Sequence, residues 1–138
     1  MSSLTLDIVT PEKRILHEEN VAIVTLRTVE GEIGVLPGHI PLYSQLAAGE
    51  LRYKKNNDEF FVAIHGGFLE VANSKVTVLA DAAARAEELD EAQIEAARRK
   101  AEEAMSQKIT DEDYAIAEGA MRRALIDLGV ARKKRRNY

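Results

Sequence analysis

The chain has 138 residues, 46% hydrophobic and 30% charged, which suits a single domain or a domain with an appendage around one modest core. It contains no cysteine, which removes disulfides, thiol nucleophiles and thiolate metal sites together and fits a reducing compartment. The formal net charge is −4; from Arg85 onward 12 Lys and Arg balance 12 Asp and Glu, leaving 7 against 11 before it, and an acidic balance of this kind argues against a general nucleic-acid binder.

The first residues, Met1 to Asp7, carry neither a basic start nor a long apolar run, so no signal peptide is expected. No apolar stretch approaches the roughly 20 residues that cross a bilayer. Membrane association is therefore expected only through other chains. Residues 4–9 alternate polar and apolar side chains and stop at Thr10-Pro11, which reads as a strand. Residues 21–26 are rich in β-branched side chains, Glu30-Gly31-Glu32 turns the chain, and residues 33–36 make a short strand ending at Pro37-Gly38. Residues 50–53 and 59–64 flank Asn56-Asn57-Asp58, a hairpin signal. Gly66-Gly67 precedes a strand over 68–71, and Asn73-Ser74 leads into another over 75–79. Many short strands separated by turn residues predict a sandwich or barrel.

Composition changes near Leu79, where a run rich in Ala, Glu, Arg and Lys begins and no proline follows. Asp90 is the expected N-cap of a first helix, with Gln93 completing a capping box and Leu89 and Ile94 closing a hydrophobic staple. Its apolar face is Ala97, Ala101, Ala104 and Met105. Thr110 with Asp113 marks a second start, and Asp111, Glu112 and Asp113 suit the positive end of the helix dipole. The second face is Tyr114, Ala117, Met121, Ala124, Leu125 and Leu128, with Gly129 as the expected stop. The short connector at Lys108-Ile109 favours an antiparallel pair. The fold expected is α+β in two parts, an N-terminal antiparallel β-sandwich or barrel over residues 1–85 and a C-terminal α-helical hairpin over 86–138. The hairpin is thinly apolar, because alanine buries little surface at roughly 25 cal/mol per Å². Pattern alone favours permanent docking on the sandwich, while the thin seam leaves a movable hairpin open.

A search for chemistry finds no phosphate-binding glycine loop, no dinucleotide fingerprint and no nucleophile elbow. His17, His39 and His65 are too scattered for a metal cluster. No catalytic residue, metal or cofactor is assigned. The unusual segment is residues 30–42, with three glycines and two prolines in thirteen positions. It is either plain turn chemistry or a stiff loop presenting Glu32 and His39 to a partner, and spacing alone leaves both open. The cationic block from Arg132 to Arg136 is either a frayed, solvated end or a contact.

Residues 30–42, Gly66-Gly67-Phe68-Leu69-Glu70-Val71, Val76-Thr77-Val78-Leu79-Ala80-Asp81 and Leu89-Asp90-Glu91-Ala92 together resemble the epsilon subunit of bacterial and chloroplast F-type ATP synthases, in order and over essentially the whole chain. The resemblance implies a non-catalytic central-stalk subunit. Its sandwich would bind the gamma subunit and rest on the ring of c subunits, coupling proton flow to ATP synthesis. It further implies c-ring contacts from Gly31, Glu32, Gly34, Pro37, Gly38 and His39. The helical hairpin would act as a brake on ATP hydrolysis when extended into the catalytic head. There Arg122, Arg123, Arg132, Lys133, Lys134, Arg135 and Arg136 would meet the beta subunit, beside alpha. Some members bind ATP through Ile/Leu-Asp-x-x-Arg-Ala; here Gln93-Ile94 stands in place of Arg-Ala, so Leu89, Asp90, Lys100 and Arg123 are at most a remnant of such a site. The implied location is the cytoplasmic face of the cell membrane, held peripherally through the complex, or the stromal face of the thylakoid in a plastid. Two readings from other classes stand beside this one. A nucleic-acid adaptor has little for base stacking at 5% aromatics, and an enzyme with an unrecognised site lacks a motif.

Overall fold

A computed structural model describes residues 2–133, and residues 136–137 by their backbone. The strands are β1 (Leu4–Val9), β2 (Arg14–Val21), β3 (Ile23–Thr28), β4 (Gly31–Val35), β5 (Leu42–Leu46), β6 (Gly49–Lys55), β7 (Asp58–Ile64), β8 (Gly67–Ala72), β9 (Lys75–Ala80) and β10 (Ala83–Arg85). A 3-10 turn (Ala86–Glu88) leads to helices α1 (Glu91–Met105) and α2 (Asp111–Lys133), and β11 (Arg136–Asn137) returns to the sheet.

The strands form one continuous sheet in the order β10-β7-β6-β3-β5-β8-β9-β1-β2, with β4 added on β3 and β11 on β7. It folds over on itself as a nearly closed sandwich around Leu4, Leu6 and Ile8 of β1, Val24 and Leu26 of β3, Leu51 of β6, Leu69 and Val71 of β8, and Val76 and Val78 of β9. One pairing departs from the antiparallel expectation: β1 runs parallel to β9 from Thr5↔Lys75 to Val9↔Leu79. The alternation expected over residues 4–9 holds at Leu4, Leu6 and Ile8, which face the core.

The turn chemistry is local and legible. Asn56 and Asn57 both take positive φ, +54° and +67°, as do Asn73 and Ser74, +52° and +57°. Each pair closes a two-residue hairpin, between β6 and β7 at Lys55↔Asp58 and between β8 and β9 at Ala72↔Lys75. Gly67 has a different role. At φ +124° a Cβ there would lie 2.1 Å from the Leu79 carbonyl oxygen, so only glycine lets β8 and β9 pair at this point.

Three strands escape the pattern expected from sequence. β2 alternates charged residues with Leu16, β5 follows Pro41 with a polar Ser44-Gln45 centre, and β10 has three residues. β7 shows the opposite behaviour. Val62 and Ile64 face the sandwich core, whereas Phe61 and Ala63 are buried on the other side with Ala86 and Val130, flanked by Leu89 and Ile126.

That outer cluster changes the reading of the helices. Asp90 is the N-cap of α1, its carboxylate accepting the backbone N–H of Ala92 at 3.0 Å and of Gln93 at 3.3 Å. Thr110 Oγ1 accepts the N–H of Asp113 at 3.1 Å at the start of α2. Ala101, Ala117, Ala124 and Leu128 are buried as expected, but Ala97, Tyr114 and Leu125 are exposed. Gly129 does not stop the helix: α2 continues to Lys133, because Val130 and Ala131 are buried beyond it. Burial against β7 outweighs the roughly 1 kcal/mol that glycine costs inside a helix. Leu89, expected as a staple for Ile94, packs instead against the outer cluster.

Two substitutions test these assignments by urea denaturation. Gly67→Ala should cost roughly 3 kcal/mol, since backbone must move on both strands. Gly129→Ala, whose Cβ would meet nothing within 4 Å, should stabilise by about 0.5–1 kcal/mol if the residue is helical; a loss would restore it as a helix stop.

Candidate functional site

Residues 30–42 are a turn, a strand and a loop, not one bent path. Val29 and Glu30 form the two-residue tip between β3 and β4, at the Thr28↔Gly31 register. The Thr28 hydroxyl locks the tip, donating to the Gly31 carbonyl at 2.8 Å and accepting the Glu30 N–H at 3.2 Å. Gly31 takes φ +127° and Gly38 +82°. At the other end of β4, the Gly38 N–H donates to Ser74 Oγ at 2.9 Å, the His39 N–H to the Leu36 carbonyl at 3.1 Å, and His39 Nδ1 to the Ile40 carbonyl at 2.7 Å. Both ends are thereby stiffened. They are also apart: the length of β4, about 17 Å at 3.4 Å per residue, separates Gly31 and Glu32 from Pro37, Gly38 and His39. Glu32 faces Arg52 Nη1 at 3.6 Å, and Gly34 is exposed in mid-strand. Leu36 and Ile40 project uncovered from the loop, and Val29 from the tip.

The outer face of β5-β8-β9-β1 carries an exposed apolar patch that sequence reasoning did not single out. Register aligns Gln45, Phe68, Leu79 and Val9 in one row across the four strands. Phe68 is 62% exposed and Leu79 55%. Tyr43, 78% exposed, extends the surface, its hydroxyl donating to Glu70 at 2.8 Å. The outward position of alternate residues in a strand was the available signal.

Beyond this face, on β1, β2 and β9, is a charged cluster. His17 Nδ1 bonds the buried Asp7 carboxylate, His17 Nε2 approaches Glu19 at 3.3 Å, and Lys75 Nζ lies 3.3 Å from Asp7. Among the described residues no group of three or more acidic or histidine side chains is placed to hold a metal ion.

On the helical side, the candidate cations are dispersed. Arg122 is exposed and pairs with Glu118 at 3.0 Å along α2. Arg122 and Arg123 line a cavity of about 680 Å³ with His65, Gly66, Leu125 and Ile126. Arg132 reaches α1, pairing with Glu91 at 2.8 Å and Glu95 at 3.5 Å. Lys133 pairs with Glu50 of β6 and lies 5.5 Å from the centroid of the Phe61 ring. Lys134 and Arg135 lie outside the described residues, and Arg136 is described only by its backbone in β11. The four possible nucleotide residues are not gathered. The Asp90 carboxylate is taken up by its cap, Leu89 packs against the outer cluster, and Lys100 lines a groove with Ala101 and Ile116. Arg123 alone of the four borders the inter-helix cavity of about 270 Å³ with Gln93 and Ile94. His65 Nε2 bonds Asp127 of α2 at 2.8 Å, with both side chains at most 15% exposed, and so joins the sandwich to the hairpin.

A model of the family described as "ATP synthase, Delta/Epsilon chain, beta-sandwich domain" matches residues 3–86. The chain is 48% identical over 132 residues to the "ATP synthase epsilon chain" of Herpetosiphon aurantiacus, covering 96% of each. It is 44% identical to the protein of that name from Dehalococcoides mccartyi, covering 99% of this chain and 98% of that one. Among solved structures, a chain in the Euglena gracilis mitochondrial ATP synthase, OSCP/F1/c-ring in rotational state 1, is 31% identical with a TM-score of 0.74. The match covers 88% of this chain and 76% of that one. A chain of the Tetrahymena thermophila mitochondrial ATP synthase central stalk/c-ring shares the fold at 14% identity and a TM-score of 0.60, over 95% and 99% of the two chains.

The charged cluster gives a pH signature. The hydrogen bonds from His17 to Asp7 and Glu19, with the Asp7 charge, raise the imidazole pKa above its ordinary 6.5. Burial works to raise the Asp7 carboxyl, but bonds and charge from His17 and Lys75 outweigh it and hold the pKa below 3.8. Asp7 therefore stabilises the fold above its unfolded pKa and ceases to as pH falls through the folded value. His17 stabilises it fully below its unfolded pKa and ceases to as pH rises through the folded one. An NMR titration should place the His17 midpoint above 6.5 and Asp7→Asn should lower it; a midpoint at or below 6.5 in the unsubstituted chain would contradict the cluster.

Proposed function

The chain belongs to the ATP synthase delta/epsilon family as an epsilon chain, and from that premise we propose that its sandwich is the joint between the gamma subunit and the c-subunit ring of an F-type ATP synthase. It is a non-catalytic central-stalk subunit, which leaves the phosphate chemistry to other chains. The observation that carries the assignment is the uncovered apolar row of Phe68 and Leu79 with Tyr43. An exposed apolar patch on a small folded chain marks a protein interface, and this one lies across four paired strands. We assign it to gamma. The ring contact falls to the residues around β4: Gly31 and Glu32 at the tip end, Gly34 between, and Pro37, Gly38 and His39 at the loop end. Their separation along β4 makes them two contact points, not one. Peripheral attachment on the cytoplasmic face of the cell membrane, or the stromal face of a thylakoid, follows from this placement. No described helix is long and apolar enough to cross a membrane.

The hairpin is the regulatory part, residues 86–138, on the sandwich of residues 1–85. In the docked arrangement it lies on β7. Extended, its Arg122, Arg123, Arg132, Lys133, Lys134, Arg135 and Arg136 would meet acidic surface on the beta subunit, beside alpha, and restrain ATP hydrolysis. Charge complementarity of this kind steers association and weakens with salt.

Two measurements bear on this reading. Ending the chain after Ala86 should raise ATP hydrolysis by the reconstituted head severalfold while the sandwich still co-purifies with gamma; unchanged hydrolysis would remove the brake. Isothermal titration of the isolated subunit with ATP should give no micromolar binding, because Asp90 is engaged as a cap and glutamine replaces the arginine that would hold phosphate.

A further inference from the structure

Both described cations of the terminal basic block are neutralised within the chain. Lys133, in the last turn of α2, pairs with Glu50 on β6 and overlies the Phe61 ring of β7. Arg132, one residue earlier, is held by Glu91 and Glu95 of α1. Glu50 is only 19% exposed at its side chain and is set in place by Arg52 Nη1 at 3.8 Å, which also faces Glu32 and Glu59. Beyond the helix, the backbone of β11 pairs with β7 at Arg136↔Glu59 and Asn137↔Asp58. Lys133 thus lies over the outer side of β6 and β7, and β11 lies along the edge of β7.

We propose that Glu50, with Glu91 and Glu95, forms an internal acidic receptor for the chain's own basic end. The receptor competes directly with the acidic partner surface that the extended hairpin meets. With Lys133 bonded to Glu50, the end of α2 lies on β6 of the sandwich and cannot at the same moment stand extended against a carboxylate in the catalytic head. Docking and inhibition are therefore mutually exclusive uses of one set of charges: Glu50, the member on the sandwich, sets how readily the hairpin is released, and Glu91 and Glu95 hold Arg132 against α1 within it. The inference rests on the inhibitory reading of the basic block for its consequence, but not for its geometry.

The two can be tested apart. Native-state thiol–disulfide exchange of a Val130→Cys background, whose side chain is buried between α2 and β7 in a chain with no other cysteine, reports rare lifting of the hairpin in the isolated full chain. Glu50→Gln and Lys133→Gln should each raise the opening constant about two- to fivefold, the range expected for one partly exposed ion pair. The double variant should go no further than either single one, and salt near 0.5 M should shrink the difference. Glu70→Gln, paired with Tyr43 on the other face, should leave exchange unchanged. In the reconstituted head, Glu50→Gln should lower ATP hydrolysis by freeing Lys133, whereas Lys133→Gln should lift the hairpin yet raise hydrolysis. Unchanged exchange in both Glu50→Gln and Lys133→Gln would overturn the receptor. Altered exchange with hydrolysis unchanged in both would leave the receptor standing and overturn the inhibitory role of the basic block.

Discussion

The arrangement of the whole chain depends on β7 being buried on both faces. A strand in a sheet with one wet face alternates apolar and polar side chains, but here Val62 and Ile64 fill the sandwich core while Phe61 and Ala63 need cover outside. That cover comes from Ala86, Leu89, Ile126 and Val130. To supply it, the 3-10 turn must sit under the sheet, and α2 must stay helical through Gly129 so that Val130 reaches Phe61. The edge of β7 is closed as well, by β10 at residues 62–64 and by β11 at 58–59. One strand thus fixes where the hairpin lies and how far its second helix runs.

The two parts differ in how strongly they are held. The sandwich joins side chains from all of its first nine strands in one core and hydrogen-bonds each strand to a neighbour. The hairpin adheres through a small cluster with one aromatic ring, together with His65–Asp127 and Lys133–Glu50. Covering Phe61 favours docking by about 1.5–3 kcal/mol, the partly exposed Lys133–Glu50 pair adds at most about 1 kcal/mol, and the largely buried His65–Asp127 hydrogen bond adds about 1 kcal/mol. Melting the sheet would cost far more than lifting the hairpin, so the helices can separate from an intact sandwich. The hairpin itself is held together by a seam of Ala101, Ala117 and Ala124, with Leu128 its larger member. A short side chain fits close helix packing and loses little on exposure, which suits two helices that exchange one set of neighbours for another.

Much of this was legible in the sequence where the signal is local. Asn56-Asn57 and Asn73-Ser74 tolerate positive φ and closed the hairpins expected of them, and Asp90 and Thr110 capped their helices. Strand β2 was missed because its pairing with β1 depends on Leu16 and Val21, while arginine, histidine and glutamate occupy most of the remaining positions. Gly129 was misread because helix propensity is a weak prior that a buried Val130 and Ala131 outweigh. The parallel β1–β9 pair joins residues some seventy positions apart, and no local pattern encodes it. The motif residues around β4 stand out in the sequence by their glycines and prolines, but their spacing concealed that Glu32 and His39 sit toward opposite ends of a strand. The apolar row was hidden for a related reason: Phe68 and Leu79 each read as ordinary strand residues, and only register places them side by side.

In the proposed joint, the separation along β4 is an advantage. A load entering at Glu32 would have to reach other contacts without the intervening structure bending, and β4 is paired to β3 along its full length. Its two ends are fastened separately, by the Thr28 hydroxyl at the tip and by Ser74 at the loop. Glycines serve at those ends because Gly31 and Gly38 take backbone angles that other residues resist, not because the segment is loose. In that proposal the sheet is the stiff part and the hairpin the releasable one, with β7 between them. Its inner face belongs to the rigid part and its outer face to the releasable one, so a change in hairpin position alters what covers Phe61 without disturbing Val62 or Ile64. That division would let one small chain keep its proposed joint intact while its helices change partners.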